Sequence, residues 1–550
     1  MNSKPSTKPG RNEACPCGSG RKYKHCCAQP TAAPAGETGL QQLLETARYH
    51  AYQRRDFAAA EQCYRQVLEL KPNHAEALAG VGQGLCWRHR LAEGKRYLAR
   101  AAKALLRQAD KTDGRVLLGF AEQMQIWGDM DLALQLARAA AKAMPDNASA
   151  HYGVAVCLQR LHQTDAAIAA LEKVLKLVPH DAGSHILLAI LEFDNKHYDA
   201  ARQRLERVVA AETDTRQLAR ACLELSKVYD KQKRYAEAFA MFAKAGALQR
   251  QLPENQALDA AYIFKKIALF KQGYSDALLK RWTSEQLADG LPAPVFLIGF
   301  LRSGTTLTEQ VLAAHPQVLT SDENHLLEEL SAQLAAMAGI GDDTPAALAR
   351  IGIEQARQLR TYYWQRVAEE FGPEALRKRF VNKVALNSIE TGLISCLFPD
   401  AKILFALRDP RDVCLSCAMQ SFAASPATVN LLSWQGVAEQ YAAVMDLWLS
   451  LRDRIAPAWL ELRYEDVVND FEASFRGVFE LLGVDWRPEV ERFHERTAGR
   501  YVATPSFAAV SQPLYNSALA RWRPYRQNFA ELMPQLARFV AAFGYDEADL

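Results

Sequence analysis

From Leu40 to about Arg250 the chain repeats itself at intervals of about 34 residues, a period that constrains the fold before any single motif is considered. Small residues recur at Ala60, Gly94, Ala133, Ala167, Ala201 and Ala238, followed four residues later by Tyr64, Leu98, Ala137, Leu171, Leu205 and Phe242 respectively. Pro72, Pro145 and Pro179 close three of the units, and we count six, starting near positions 41, 75, 114, 148, 182 and 219. The second is degraded: it lacks the proline and carries Gly82 and Gly84 in its first helix. Units this short bury their apolar faces only by stacking, so an all-α solenoid is expected. Trp87, Trp127 and His151 are expected in its core rather than at contact positions.

The pattern resembles the tetratricopeptide repeat, in which the small residue lets two antiparallel helices approach and the proline ends the second. The resemblance implies a concave face for a peptide or protein partner, or else a scaffold that carries or dimerises the next domain. Leu252–Leu291 reads as further helices leading out of the solenoid.

A chain of 550 residues is too long for one core, and shares of 49% hydrophobic and 23% charged residues suit a folded soluble protein. With 66 basic against 63 acidic residues, the net charge of +3 is too balanced for a nucleic-acid coat. Met1–Gly20 has no apolar signal core, and no run approaches the roughly 18 apolar residues of a membrane span, so a cytoplasmic location is expected. Cys63, Cys86, Cys157, Cys222, Cys396, Cys414 and Cys417 are scattered through helix and strand patterns and read as reduced core thiols.

The other four cysteines are concentrated in Cys15-Pro16-Cys17 and Cys26-Cys27, two pairs separated by a stretch that opens with a Gly-Ser-Gly turn. Four thiolates so close together can close a tetrahedron around Zn²⁺, which a segment this small needs in order to fold. The stretch resembles the short zinc motif at the tail of the bacterial preprotein translocase motor, whose fourth ligand is Cys or His. Cys27 fits the Cys version, leaving His25 as a solvated neighbour, and a structural zinc is expected. Thr31–Gly39, rich in Ala, Pro, Gly and Thr, reads as a linker.

Beyond Pro292, short apolar runs at Val295–Ile298, Lys402–Leu407 and Trp459–Arg463 alternate with amphipathic stretches, which implies a parallel sheet covered by helices, with ligands at the strand ends. The first run feeds Gly299-Phe300-Leu301-Arg302-Ser303-Gly304-Thr305-Thr306 and then a helical pattern, an arrangement that aims several backbone N–H groups at one anion. The spacing fits the nucleotide loop G-x-x-x-x-G-K-[ST] except that Thr305 stands in place of the lysine, which argues for phosphate chemistry other than NTP hydrolysis. After the second run, Arg408 at a strand end and Ser416 on an expected helix can converge on a second phosphate.

Taken in order, R-S-G-T-T and then R-D-P-R-D-V with a following serine resemble the sulfotransferases that use 3′-phosphoadenosine 5′-phosphosulfate, and the order of features is most similar to the tyrosylprotein branch. The resemblance implies a 5′-phosphosulfate loop at Arg302, Ser303, Gly304, Thr305 and Thr306, a 3′-phosphate pair at Arg408 and Ser416, and Tyr464 beside the adenine. It implies Glu323 as catalytic base, with Asp322 the adjacent competitor, and Lys383 and Ser506 as stabilisers of the transition state. Arg521 stands where the family has a cofactor-binding lysine. Gln420 replaces a further 3′-phosphate arginine of that branch, which leaves either weaker binding or compensation by Arg411.

The expected organisation is therefore a knuckle (1–30), a linker (31–39), a solenoid (40–250), a connector (251–291) and an α/β, P-loop-like sulfotransferase domain (292–550). The expected reaction moves a sulfuryl group to an acceptor hydroxyl, a peptide tyrosine being one candidate, without a metal at the reacting centre. The alternatives are a P-loop phosphotransferase or NTPase, for which Asp409 between Arg408 and Pro410 is a poor metal ligand, and a non-enzymatic adaptor with a degenerate last domain.

Overall fold

The repeat period appears as paired helices in the computed structural model, which describes residue 22 and residues 37–127, 129–497 and 518–545. The four knuckle cysteines lie outside the described residues. The chain divides between Ala109 and Asp110 into two compact units.

The first unit contains helices Glu37–Arg48, Phe57–Leu70, Ala75–Trp87 and Leu91–Leu106. The glycines that make its second repeat look degraded are what let that pair of helices close: a Cβ on Gly82 would lie 2.9 Å from the Gly94 carbonyl oxygen. Trp87 corrects the expectation of a core residue. It is the last residue of its helix, is 59% exposed, and stacks on Phe57 with ring centroids 6.2 Å apart.

The second unit continues with the pairs Gly114–Trp127 and Met130–Ala143, Ala148–Arg160 and Thr164–Leu177, Ala182–Asp194 and Tyr198–Ala211, and Thr215–Lys231 and Tyr235–Arg250. Asn147, Asp181 and Asp214 cap the first helix of their pairs by accepting from the backbone N–H of Ala150, Ser184 and Gln217. The recurring small residues Ala133, Ala167, Ala201 and Ala238 are fully buried where the partner helix crosses. Trp127 and His151 are half-buried, the latter with Nε2 2.7 Å from the Pro145 carbonyl.

Short helices at Pro253–Gln256, Tyr262–Gly273 and Asp276–Leu279 lead to a five-stranded sheet. Its strands are β1 (Val295–Gly299), β2 (Val318–Thr320), β3 (Arg379–Lys383), β4 (Lys402–Leu407) and β5 (Ala458–Arg463). The order is β2-β3-β1-β4-β5 and every pairing is parallel, so all the strand ends reach one edge. Three strands fall on the apolar runs expected from the sequence, whereas β2 and β3 were not foreseen.

Alternate strand residues feed two cores. Phe296, Ile298, Ile403 and Phe405 join the larger, and Val295, Leu297, Val381 and Leu404 the smaller. The larger core runs on without a break into the sixth repeat through Leu225, Tyr229 and Phe242. There the helix Tyr235–Arg250 lies so close to the C-terminal half that a Cβ on Gly246 would meet the Leu432 carbonyl oxygen.

Cys86, Cys157, Cys222, Cys396, Cys414 and Cys417 are free buried thiols and Cys63 is half-buried, as core thiols should be. Burial pushes the Cys417 thiol up to about 12 and raises that of Cys414, three residues before it, which takes both away from thiolate chemistry. Among the described residues, no helix is long and apolar enough to cross a membrane.

Candidate active site

Two clusters sit on the carboxyl edge of the sheet. The first begins where β1 turns into the helix Thr305–Ala313. Gly299 is required by close approach, since a Cβ there would stand 2.5 Å from the Ala406 carbonyl oxygen on β4. Gly304 adopts a left-handed φ of 97°, faces the Tyr464 ring, and leaves the helix N-terminus open. Arg302 also takes a left-handed φ, 67°, and its Nε donates to Ser416 Oγ at 2.9 Å, tying the loop to the helix Pro410–Ala418.

Arg408, the residue after β4, completes this cluster. Its guanidinium donates to the carbonyls of Ala518 at 2.6 Å and Arg302 at 3.5 Å, and lies 5.0 Å from the Tyr464 ring centroid. Asp412 faces it at 3.6 Å; burial raises the Asp412 carboxyl to about 6 although Arg408 opposes the shift. Ser303 Oγ and Arg408 Nε are buried without a hydrogen-bond partner among the described residues, a pair of open donors beside an open helix N-terminus. Arg302, Ser303, Gly304, Arg408, Ser416 and Tyr464 are thus brought together, although they come from three strand ends.

The second cluster is built on Lys383, the last residue of β3 and fully buried. Its ammonium donates to Asp322 at 3.0 Å and Glu323 at 3.1 Å, two carboxylates that are each about half exposed. Burial opposes the lysine charge, but Glu323, Asp322 and Glu309 outweigh it and raise its pKa. The Ser321 hydroxyl accepts from the Lys383 backbone N–H, and Asn324 bridges Ser321 to Asn382, so the carboxylate turn is pinned to β3.

Glu309 is a group the sequence reading missed. It lies on the loop helix, is buried, and accepts from Thr320 Oγ1 at 2.9 Å, and burial raises its carboxyl above the usual range.

Other expected residues have different settings. Arg411 is held by Asp409 at 2.8 Å and lies 3.9 Å over the Trp522 ring. Arg521 donates to Asp230 of the sixth repeat at 2.7 Å. Gln420 is half-buried just past the helix end. Ser506 lies outside the described residues.

With this geometry in hand, comparison with known proteins finds that residues 294–488 match the model of a sulfotransferase family. Over that segment the chain is similar to the sulfotransferase family. Tetratricopeptide models match residues 51–74, 128–185, 160–222 and 219–251, and a SEC-C motif matches residues 11–29.

An uncharacterised protein of Aquifex aeolicus is 26% identical over 410 residues, which cover 72% of this chain but 51% of that protein, so the chain spans about half of that relative's length. Protein-tyrosine sulfotransferase 2 of Gallus gallus is 25% identical over 272 residues, 46% of this chain and 69% of the relative. Among solved structures, the sulfotransferase domain of the Synechococcus PCC 7002 olefin synthase is 20% identical, covering 46% of this chain and 96% of that one, with a TM-score of 0.31.

Proposed function

We propose that the protein transfers a sulfuryl group from 3′-phosphoadenosine 5′-phosphosulfate to an acceptor hydroxyl. The observation that supports this reading is the joining of two strand tips: Arg302 after β1 donates to Ser416 on the helix after β4 at 2.9 Å. A ligand with two separated phosphates suits them better than a triphosphate, which would need the missing loop lysine. The 5′-phosphosulfate would lie on the N–H groups from Ser303 to Thr306, the 3′-phosphate on Arg408 and Ser416, and the adenine beside Tyr464.

In the proposed step Glu323 takes the proton of the acceptor hydroxyl as its oxygen bonds to sulfur. The bond from sulfur to the 5′-phosphate oxygen breaks, and adenosine 3′,5′-bisphosphate leaves with the electron pair. Lys383 and Arg302 would counter the charge on the bridging oxygen, a role for which a buried ammonium is well suited because little water screens it. Ser506 would add a second stabilising hydroxyl and Arg521 would serve the donor side.

The acceptor we propose is a polypeptide, a peptide tyrosine included. The similarity to protein-tyrosine sulfotransferases supports this, as does a cavity of about 350 Å³ shared by the sixth repeat (Arg216, Leu223, Gln249) and the segment after Ser416 (Phe422, Val429, Leu432). The SEC-C match and its four thiolates support a structural zinc held by Cys15, Cys17, Cys26 and Cys27, for which metal analysis of purified protein is the check.

The experiment is transfer of labelled sulfate from the donor to a panel of peptides and phenols. Label should appear on an acceptor, and its transfer should slow by about a hundredfold or more in Glu323→Gln. Magnesium-dependent ATP turnover without sulfate transfer would contradict the reading.

A further inference from the structure

The short segment Ala518–Tyr525 joins the sixth repeat to the donor site. On its solenoid side, Asp230 at the end of the repeat's first helix is only 9% exposed at its side chain. It accepts from Arg521 Nη2 at 2.7 Å and from the Tyr525 hydroxyl at 2.7 Å. Tyr525 also packs edge-on against Tyr235, with centroids 5.3 Å apart. On the sheet side, the Ala518 carbonyl accepts from Arg408, the Trp522 N–H donates to Asp412 at 2.9 Å, and the Trp522 ring lies under Arg411. The segment is thus fastened at both sides, and Arg408 is aimed by the carbonyl it shares.

We propose that Asp230 is a positioning residue of the donor site: by holding Arg521 and Tyr525 it fixes Ala518 and Trp522, which set the orientation of Arg408 and Asp412. This rests on the donor reading above and gives the solenoid a part in binding the nucleotide. It also accounts for Arg521 without a direct ligand contact, since the guanidinium is engaged by the repeat. A partly buried carboxylate with two donors is a stiff anchor, because losing it leaves the hydroxyl of the buried Tyr525 without its acceptor.

The test is calorimetric titration of the full chain with adenosine 3′,5′-bisphosphate, using the parent, Asp230→Asn, Arg521→Gln and the double variant. Each single change should weaken binding about tenfold, and the double variant should bind no worse than the weaker single, because both cut the same link. Amide exchange of residues 518–525 in ligand-free Asp230→Asn should quicken while β1 and β4 stay protected, which separates a loosened segment from general unfolding. Binding by Asp230→Asn within twofold of the parent overturns the proposal, as do losses that multiply in the double variant. A loss confined to Arg521→Gln would overturn it too, by making that arginine a direct contact. Failure of the parent chain to bind would remove the donor reading itself, and this proposal with it.

Discussion

The two clusters on the sheet edge are built in opposite ways. Around Arg302 and Arg408 the cations are braced by neighbours: Ser416, the Ala518 carbonyl, the Tyr464 ring and Asp412 hold them. Around Lys383 the single cation is buried and its two carboxylates are half exposed. A braced cluster suits binding, where preorganisation lowers the entropy lost on capture. An open carboxylate beside a buried ammonium suits chemistry, where a group must meet an incoming hydroxyl.

Changes in the open cluster should therefore affect rate, and changes in the braced one affinity. The largest expected effect is Glu323→Gln, which should lower the rate of sulfate transfer by about 10²–10⁴ while leaving calorimetric affinity for adenosine 3′,5′-bisphosphate near that of the parent. Asp322→Asn tests the choice between neighbours and should cost less than about tenfold. A reversed order would move the base to Asp322.

Arg408→Ala should come next, weakening the nucleotide by about 2–3 kcal/mol, since it removes a charge-assisted contact from a buried setting. Unchanged affinity would break the contrast between the clusters.

Asp412 gives a pH test of the braced cluster. Its folded pKa of about 6 lies above the unfolded value of 3.8, so the folded chain holds the proton more tightly. The corresponding stabilisation is fully present below about pH 3.8 and is lost as pH rises through 6. Thermal melting between pH 4 and 7 should show this as a decline of about 2 kcal/mol, flattened in Asp412→Asn. Ser416→Ala is the smallest change, costing about 1 kcal/mol of nucleotide affinity by the same titration.

The legible parts of the molecule were those with a local signature. The recurring small residues marked the helix pairs because each lies where two helices touch, and β1 and β4 were visible as apolar runs because both of their faces are covered, whereas β5, a half-buried edge strand, showed only through Trp459, Leu460 and Leu462. β3 was not, because Asn382 and Lys383 are polar and yet buried, with Asn382 accepting from Asn324 and donating to Tyr363. β2, three residues long, gives no periodicity to read. Glu309 and the link from Asp230 to Arg521 were invisible for a further reason: their meaning comes from partners far away in sequence, Lys383 in one case and a residue 291 positions on in the other. Trp87 misled because a large aromatic side chain usually marks a core.

The most direct measurement is a crystal structure grown with adenosine 3′,5′-bisphosphate. The account predicts one nucleotide spanning the edge, its 5′-phosphate on the N–H groups from Ser303 to Thr306, its 3′-phosphate on Arg408 and Ser416, and its base against Tyr464. A nucleotide bound elsewhere, or with only one phosphate on these tips, would contradict it.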